Sequence, residues 1–190
     1  FIAGYEVETR LAEMSGFAHY DKGWHGTATY GTFGAAAAAA KLLGLNEEQT
    51  ITALGIAATQ AAGLKAMFGT MCKPLHAGKA ASNGLLAARL AKKGFTSRPD
   101  AIECAQGFAA TQADGFEARP VQLGHNEKLA VEDNLFKYHA SCYLTHAGID
   151  AIKSLRDENN IKVEQVDSVK QFVPKTHFSV CNIAEPSTGL

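Results

Sequence analysis

A chain of 190 residues with 46% hydrophobic content suits one domain, or one and a half, around a packed core. Eighteen Lys and Arg against 19 Asp and Glu leave a formal charge of −1, which excludes a basic nucleic-acid footprint over the whole chain but allows a local cationic pocket. No apolar run approaches the ~20 residues of a membrane span. The opening Phe1-Ile2-Ala3-Gly4-Tyr5-Glu6-Val7-Glu8-Thr9-Arg10 becomes charged too soon for a secretory signal.

In chain order, the spacing of Ile2, Tyr5, Glu6, Leu11 and Met14 predicts a helix from Phe1 to about His19, with Gly16 as a stop. Asp21 to Gly31 reads as a loop. Thr32 to Leu43 reads as a helix centred on the alanines from Ala35 to Ala40, whose small side chains suit close helix contact. Gly44 ends it. Asn46-Glu47-Glu48-Gln49 then has the form of a capping box, opening a helix to about Ala62. Leu75 to Lys93 is the next helix, with Leu85, Leu86 and Leu90 apolar and Lys92-Lys93-Gly94 closing it. Ser97-Arg98-Pro99-Asp100 predicts a further helix start. This is an all-helical array of antiparallel neighbours. Gly124 to Asn134 is polar and loop-like. Leu144 to Asn159 predicts a helix, and the alternation through Val163 to Pro174 predicts a strand, so the C-terminal part reads as a mixed α+β unit.

The chemistry-bearing residues gather in two patches, Gly23-Trp24-His25-Gly26-Thr27-Ala28-Thr29-Tyr30-Gly31-Thr32-Phe33-Gly34-Ala35 and Met71-Cys72-Lys73-Pro74-Leu75-His76-Ala77-Gly78-Lys79-Ala80-Ala81. Each joins a polar loop to a helix of small residues, the setting in which catalytic groups collect. An imidazole titrates near neutrality and suits proton transfer, while a loop histidine bonded to backbone is the plainer alternative for His25. Pro74 pushes Lys73 toward an extended conformation just before a helix start. A cation there, beside a positive helix end, would attract an anion twice over; a solvated lysine is the plainer alternative. Gly26, Gly31 and Gly34 do not match G-x-G-x-x-G, and no phosphate-binding G-x-x-x-x-G-K is present.

Cys72, Cys104, Cys142 and Cys181 are scattered without C-x-x-C or paired-His spacing, which supports neither a metal site nor a disulfide framework and fits reduced cytoplasmic thiols. His19, His125, His139 and His177 have no spacing that demands a role. Trp24 reads as a cleft-wall or core aromatic, and Phe108 and Phe116 read as core.

These two patches, with Gly4-Tyr5-Glu6-Val7 before them and Phe136-Lys137 through Thr145-His146 after them, resemble the MmgE/PrpD family along nearly the whole chain. That family includes 2-methylcitrate dehydratases, cis-aconitate decarboxylases and an iminodisuccinate epimerase. Its members are longer, so the chain resembles an internal piece, and further acid/base residues of the family fall before the Phe1 position. The resemblance implies a mainly α fold: a partial helical domain over residues 1–134, then the start of an α+β lid domain over residues 135–190. It implies a cytoplasmic lyase without cofactor or metal that acts on a small polycarboxylate, most like the hydro-lyase of propionate metabolism. Decarboxylation and epimerisation stand as enzymatic alternatives, and a non-catalytic helical or oligomerisation module stands as the other. It implies a homodimer and no nucleic-acid or membrane partner. His25, Lys73 and Lys137 fall on catalytic positions. His76, Lys79 and Cys142 fall on weaker, substrate-binding ones: His76 supports the loop, Lys79 is a surface residue or meets a second carboxylate, and some cis-aconitate decarboxylases carry a histidine where Cys142 aligns. His146 reads as the start of the following helix.

Overall fold

The computed structural model describes residues 1–119, 128–181 and 183. The chain divides into two compact units, Phe1–Asn134 and a second that begins at Leu135. Gly124 to Glu127, the first part of the expected polar loop, and with them His125, lie outside the described residues.

The first unit is a helical array. Helices α1 (Ile2–Ser15) and α2 (Ala18–Asp21) lead into α3 (Gly26–Leu43), followed by α4 (Glu47–Ala58), α5 (Cys72–Lys92) and the short α6 (Phe108–Gln112). Helix α3 is central and packs on α1, α4 and α5. Its alanines make this possible: Ala36, Ala37, Ala39 and Ala40 are all buried. Helices α3 and α5 approach so closely that a Cβ added at Gly84 would lie 2.5 Å from both the Ala35 Cβ and the Ala36 backbone nitrogen. Phe33 and Phe108 fill the centre edge to face at 4.8 Å, each such buried side chain stabilising the fold by about 1.5–3 kcal/mol. Phe116 packs against this core partly buried. The expected capping box is present at α4, where Asn46 Oδ1 accepts from the Gln49 N–H and Gln49 Oε1 accepts from the Asn46 N–H.

Four local expectations are corrected. Helix α3 begins at Gly26, not Thr32, because close packing outweighs the low helix propensity of its early glycines and threonines. Helix α5 begins at Cys72, so Lys73 and Pro74 lie inside its first turn; Pro there sacrifices no helical hydrogen bond. Leu85 and Leu86 are about half exposed, and the buried face of α5 is Ala80, Asn83, Gly84, Ala87, Ala88 and Ala91. No helix follows Ser97: its hydroxyl donates to the Thr52 carbonyl instead of capping, and Arg98 takes the Asp100 carboxylate, so turns run on to α6.

The second unit contains α7 (His146–Asn159), which begins at His146 as expected, and α8 (Lys175–Cys181). The expected strand over Val163 to Pro174 is absent. Val163–Gln165 is a 3₁₀ turn, and the residues after it form no ladder. A strand requires a hydrogen-bonded neighbour, and the bridge between Trp24 and Leu64, in the first unit, is the isolated β pairing among the described residues. This segment instead lays the Gln171 side chain over Gly148 of α7. No helix among the described residues is long and apolar enough to cross a membrane.

Candidate active site

His25 is the N-cap residue of α3, a position where a short polar side chain normally accepts a backbone N–H. Its imidazole caps nothing. The backbone is held from the other side: the His25 N–H donates to the Gly63 carbonyl at 2.9 Å, and the Lys65 N–H donates to the Gly23 carbonyl at 2.8 Å. The Trp24–Leu64 bridge lies between these bonds, so the loop before α3 is clamped to the loop before α5. The ring is thereby free to meet His76 of α5, Nδ1 to Nδ1 at 2.8 Å. Gly63 makes room for this meeting, since a Cβ there would stand 2.3 Å from the Ala28 Cβ and 3.3 Å from His76 Cδ2 and Nε2.

Phe68 completes the corner. His25 meets its ring edge-on at 4.9 Å, and Lys73 Nζ lies over the same ring, 5.1 Å from its centre. Lys73 is exposed, whereas His25 is 9% exposed. Burial pushes the His25 pKa down to about 4, and the neighbouring His76 and Lys73 add to the shift by repelling a positive charge. His25 is therefore neutral at pH 7.

The first turn of α5 corrects one expectation. The Cys72 N–H is taken by Thr70 Oγ1 and the Lys73 N–H by the Thr70 carbonyl. Pro74 has no N–H, and the Leu75 N–H reaches the Met71 carbonyl. No free amides remain there to hold an anion, so attraction for one rests on the lysine. No acidic residue balances Lys73 in this turn, and a cation at a helix N-terminus costs about 0.3–1 kcal/mol. The same corner thus breaks two local rules, with an uncapping His at an N-cap and a cation at a positive helix end.

Behind it lies a groove of about 560 Å³ between α1, α3 and α5, lined by Gly4, Glu8, Tyr30, Gly31, Ala77 and Ala80 among others. His25, His76 and Lys73 do not line it, although Gly26 and Ala77 beside them in sequence do. Burial raises the Glu8 carboxyl above its ordinary range.

Lys79 is exposed and makes no ion pair among the described residues. Lys137 and Cys142 belong to the second unit, the former exposed and the latter half-buried. In that unit His139 Nε2 pairs with Asp150 at 2.7 Å, and the buried His146 stacks on Tyr143 at 4.9 Å. His19, without an assigned role in the sequence, is sealed in the first unit, its Nε2 bonded to Thr29 Oγ1 at 2.8 Å, with Trp24 stacked on it. Gly63, Phe68 and Lys65 were not foreseen. Their one signal is a short glycine-bounded link between two small-residue helices. Among the described residues no cluster of His, Cys, Asp and Glu could hold a metal ion, and no disulfide joins the four cysteines.

The profile of the MmgE/PrpD N-terminal domain matches residues 1–121, and the chain belongs to the MmgE/PrpD family. It is 35% identical over 158 residues to the cis-aconitate decarboxylase of Homo sapiens, covering 82% of this chain and 33% of that protein. It is 34% identical over 164 residues to the cis-aconitate decarboxylase of Aspergillus terreus, with 82% and 34% covered. A cis-aconitate decarboxylase-like protein of Aspergillus oryzae is 30% identical over 182 residues, with 90% and 38% covered. The chain spans about a third of the length of these curated relatives.

Proposed function

We propose that this chain carries the proton-transfer corner of a cofactor-free lyase acting on a small di- or tricarboxylate. The observation that carries the reading is the hydrogen-bonded His25–His76 pair, with the Lys73 cation over the Phe68 ring that His25 also meets. Removing a proton beside a carboxylate adds negative charge to an existing anion. A nearby cation in a water-poor site offsets it. A bound polyanion also favours the imidazolium and raises the His25 pKa from about 4 toward neutrality, where acid–base exchange is efficient. In this reading Lys73 holds a carboxylate and His25 moves the proton. Lys79 is assigned a second carboxylate. Lys137 as a catalytic residue, Cys142 as a contact and the second unit as part of a lid rest on the family resemblance.

The finer reading is dehydration of the 2-methylcitrate type, which belongs to propionate metabolism. Decarboxylation is the second reading, supported by the names of the relatives. Cys142 weighs against it, standing where some decarboxylases of the family carry a histidine. A cytoplasmic homodimer accompanies the proposal, and light scattering of the complete protein tests the dimer.

The experiment is incubation of the complete protein with 2-methylcitrate, citrate, cis-aconitate and iminodisuccinate, followed by NMR. Loss of water, loss of carbon dioxide and inversion give distinct products. His25→Gln should lower kcat about 10²–10⁴-fold with little change in affinity, whereas Lys73→Met should raise KM as well. Full turnover in His25→Gln rejects the reading.

A further inference from the structure

We propose that His25 and His76 act as one proton relay, in which the hydrogen bond between their Nδ1 atoms holds the rings in opposite tautomers, so that one Nε2 is a base while the other carries a proton to give. The proposal rests on the proton-transfer reading above and assigns His76 a part in it.

The argument is one of proton counting. Two nitrogens 2.8 Å apart make a hydrogen bond only if one bears the hydrogen and the other a lone pair. A neutral imidazole has one N–H. The ring that donates from Nδ1 therefore has a bare Nε2, and the ring that accepts at Nδ1 has an Nε2–H. One contact thus creates an acid and a base together. Neither Nε2 has a hydrogen-bond partner among the described residues, and neither is sealed from solvent. Both remain available to a substrate.

The transfer balances without any redox partner. The bare Nε2 takes a proton from a substrate carbon and leaves the bonding pair there. The same ring passes its Nδ1 hydrogen across to the second ring. The second ring releases its Nε2 hydrogen to a departing hydroxyl, which leaves as water, or to another carbon. One proton has crossed the pair and both rings are neutral, with their tautomers exchanged. Exchange with water at the two Nε2 atoms restores the starting state.

The surroundings fit a relay that must keep its geometry and its neutrality. His25 is fixed through its backbone N–H to Gly63, and that same glycine gives His76 clearance. Phe68 packs on the His25 ring in a T-shaped pair at 4.9 Å. A charged group beside the pair is Lys73 of α5, and burial, then His76, then this cation oppose an imidazolium at His25. No carboxylate bonds to either ring among the described residues, so nothing locks one tautomer permanently.

The test has two arms on the complete protein. With ring-¹⁵N histidine, NMR at pH 7 should find His25 and His76 neutral, in opposite tautomers, with a coupling across the Nδ1 pair. Two Nε2–H tautomers without that coupling overturn the relay, whatever the activity. In kinetics, His76→Asn keeps a polar group near the Nδ1 position but cannot pass a proton. It should lose about 10²–10⁴ in kcat with KM little changed, and should lose the His25 limb of the pH–rate profile. Groups acting as a unit are non-additive, so His25→Gln combined with His76→Asn should be no slower than the slower single variant. Losses that multiply overturn the relay, as does a His76→Asn enzyme within threefold of the parent. If His25→Gln is inactive while His76→Asn is not, the relay fails and the proton-transfer reading survives. If His25→Gln is fully active, that reading fails first. If a variant does not fold, the NMR arm on the parent decides.

Discussion

The first unit and the second differ in what they bury. Every buried apolar side chain among the described residues, from Leu11 to Ala113, belongs to the first, and Phe33 at its centre is 0% exposed. In the second unit His146 is the buried residue among those described, while Phe136 and Phe172 are 78% and 86% exposed. Burial of apolar surface is the main favourable term in folding, so the two are unequal in what fixes their side chains. His25 and His76 are positioned by a core and by backbone clamps, whereas Lys137 stands on an exposed stretch with no helix of its own. Precise proton transfer needs the former arrangement.

The largest effect expected from this contrast is in hydrogen exchange of the 190-residue chain. Amides of α3 and α5 should open only with the whole first unit, while those of α7 should open locally. Protection should differ by on the order of 10³, the factor separating local from global opening in a marginally stable domain. Equal protection in the two units breaks the comparison.

The second effect tests how tightly the clamped unit is packed. Gly84→Ala forces a methyl group against the Ala35 side chain and the Ala36 backbone, and should destabilise by about 3 kcal/mol. Gly78→Ala, in the same helix with nothing within 4 Å of the new methyl, should stabilise by about 0.5–1 kcal/mol. Chemical denaturation of both measures the pair. The same sign for both would deny that the α3–α5 contact is closed at Gly84.

The third concerns acid. Burial pushes His19 and His25 from the ordinary value of 6.5 down to about 4, a backbone group of Gln112 opposing the shift at His19. The unfolded chain then binds protons that the folded chain refuses. Stability from these groups is complete above pH 6.5, falls as the pH drops from 6.5 toward 4, and levels off below. Glu8, raised by burial, acts in the opposite sense. The specific readout is therefore a difference: His25→Gln and His19→Gln should each remove up to one proton from the slope of stability against pH in that window. Unchanged slopes would mean that neither ring is excluded from charge.

Much of this was legible from residue types. Six adjacent alanines between polar patches mark a close helix contact, and Asn46 with Gln49 marks a cap, because both signals are local. Helix limits around the site were not legible. Gly26 to Gly31 reads as a loop by propensity, yet packing on α1 and α5 makes it helix, as it draws Lys73 and Pro74 into α5. The leucines of α5 attract attention by their hydrophobicity, but at the α3 contact only Gly and Ala fit. The candidate site was expected from two patches and a family resemblance. Their joining was not, since His25 and His76 are 51 residues apart, and the glycine that admits them and the ring beside them carry no motif. Alternation over Val163 to Pro174 failed because a strand is a property of two segments.

The smallest effect expected is also the most local. Lys73 is exposed with its Nζ over the Phe68 ring, and replacing it by Met keeps an apolar stem while removing the charge. Stability should rise by no more than about 0.3–1 kcal/mol as the helix N-terminus loses its cation, because no ion pair or hydrogen bond of Lys73 Nζ holds the fold among the described residues. The His25 ring should nonetheless respond. Lys73 lowers its pKa by repelling the imidazolium, behind burial and His76 in size. Removing the cation must therefore raise the pKa, while leaving it well below 6.5 because burial remains. A titration of the His25 ring by NMR in parent and Lys73→Met measures the difference, and added salt should shrink it in the parent, since the lysine faces solvent. A fall, or no movement at low salt, would remove Lys73 from the corner and leave the imidazole pair without a cation to draw an anion to it.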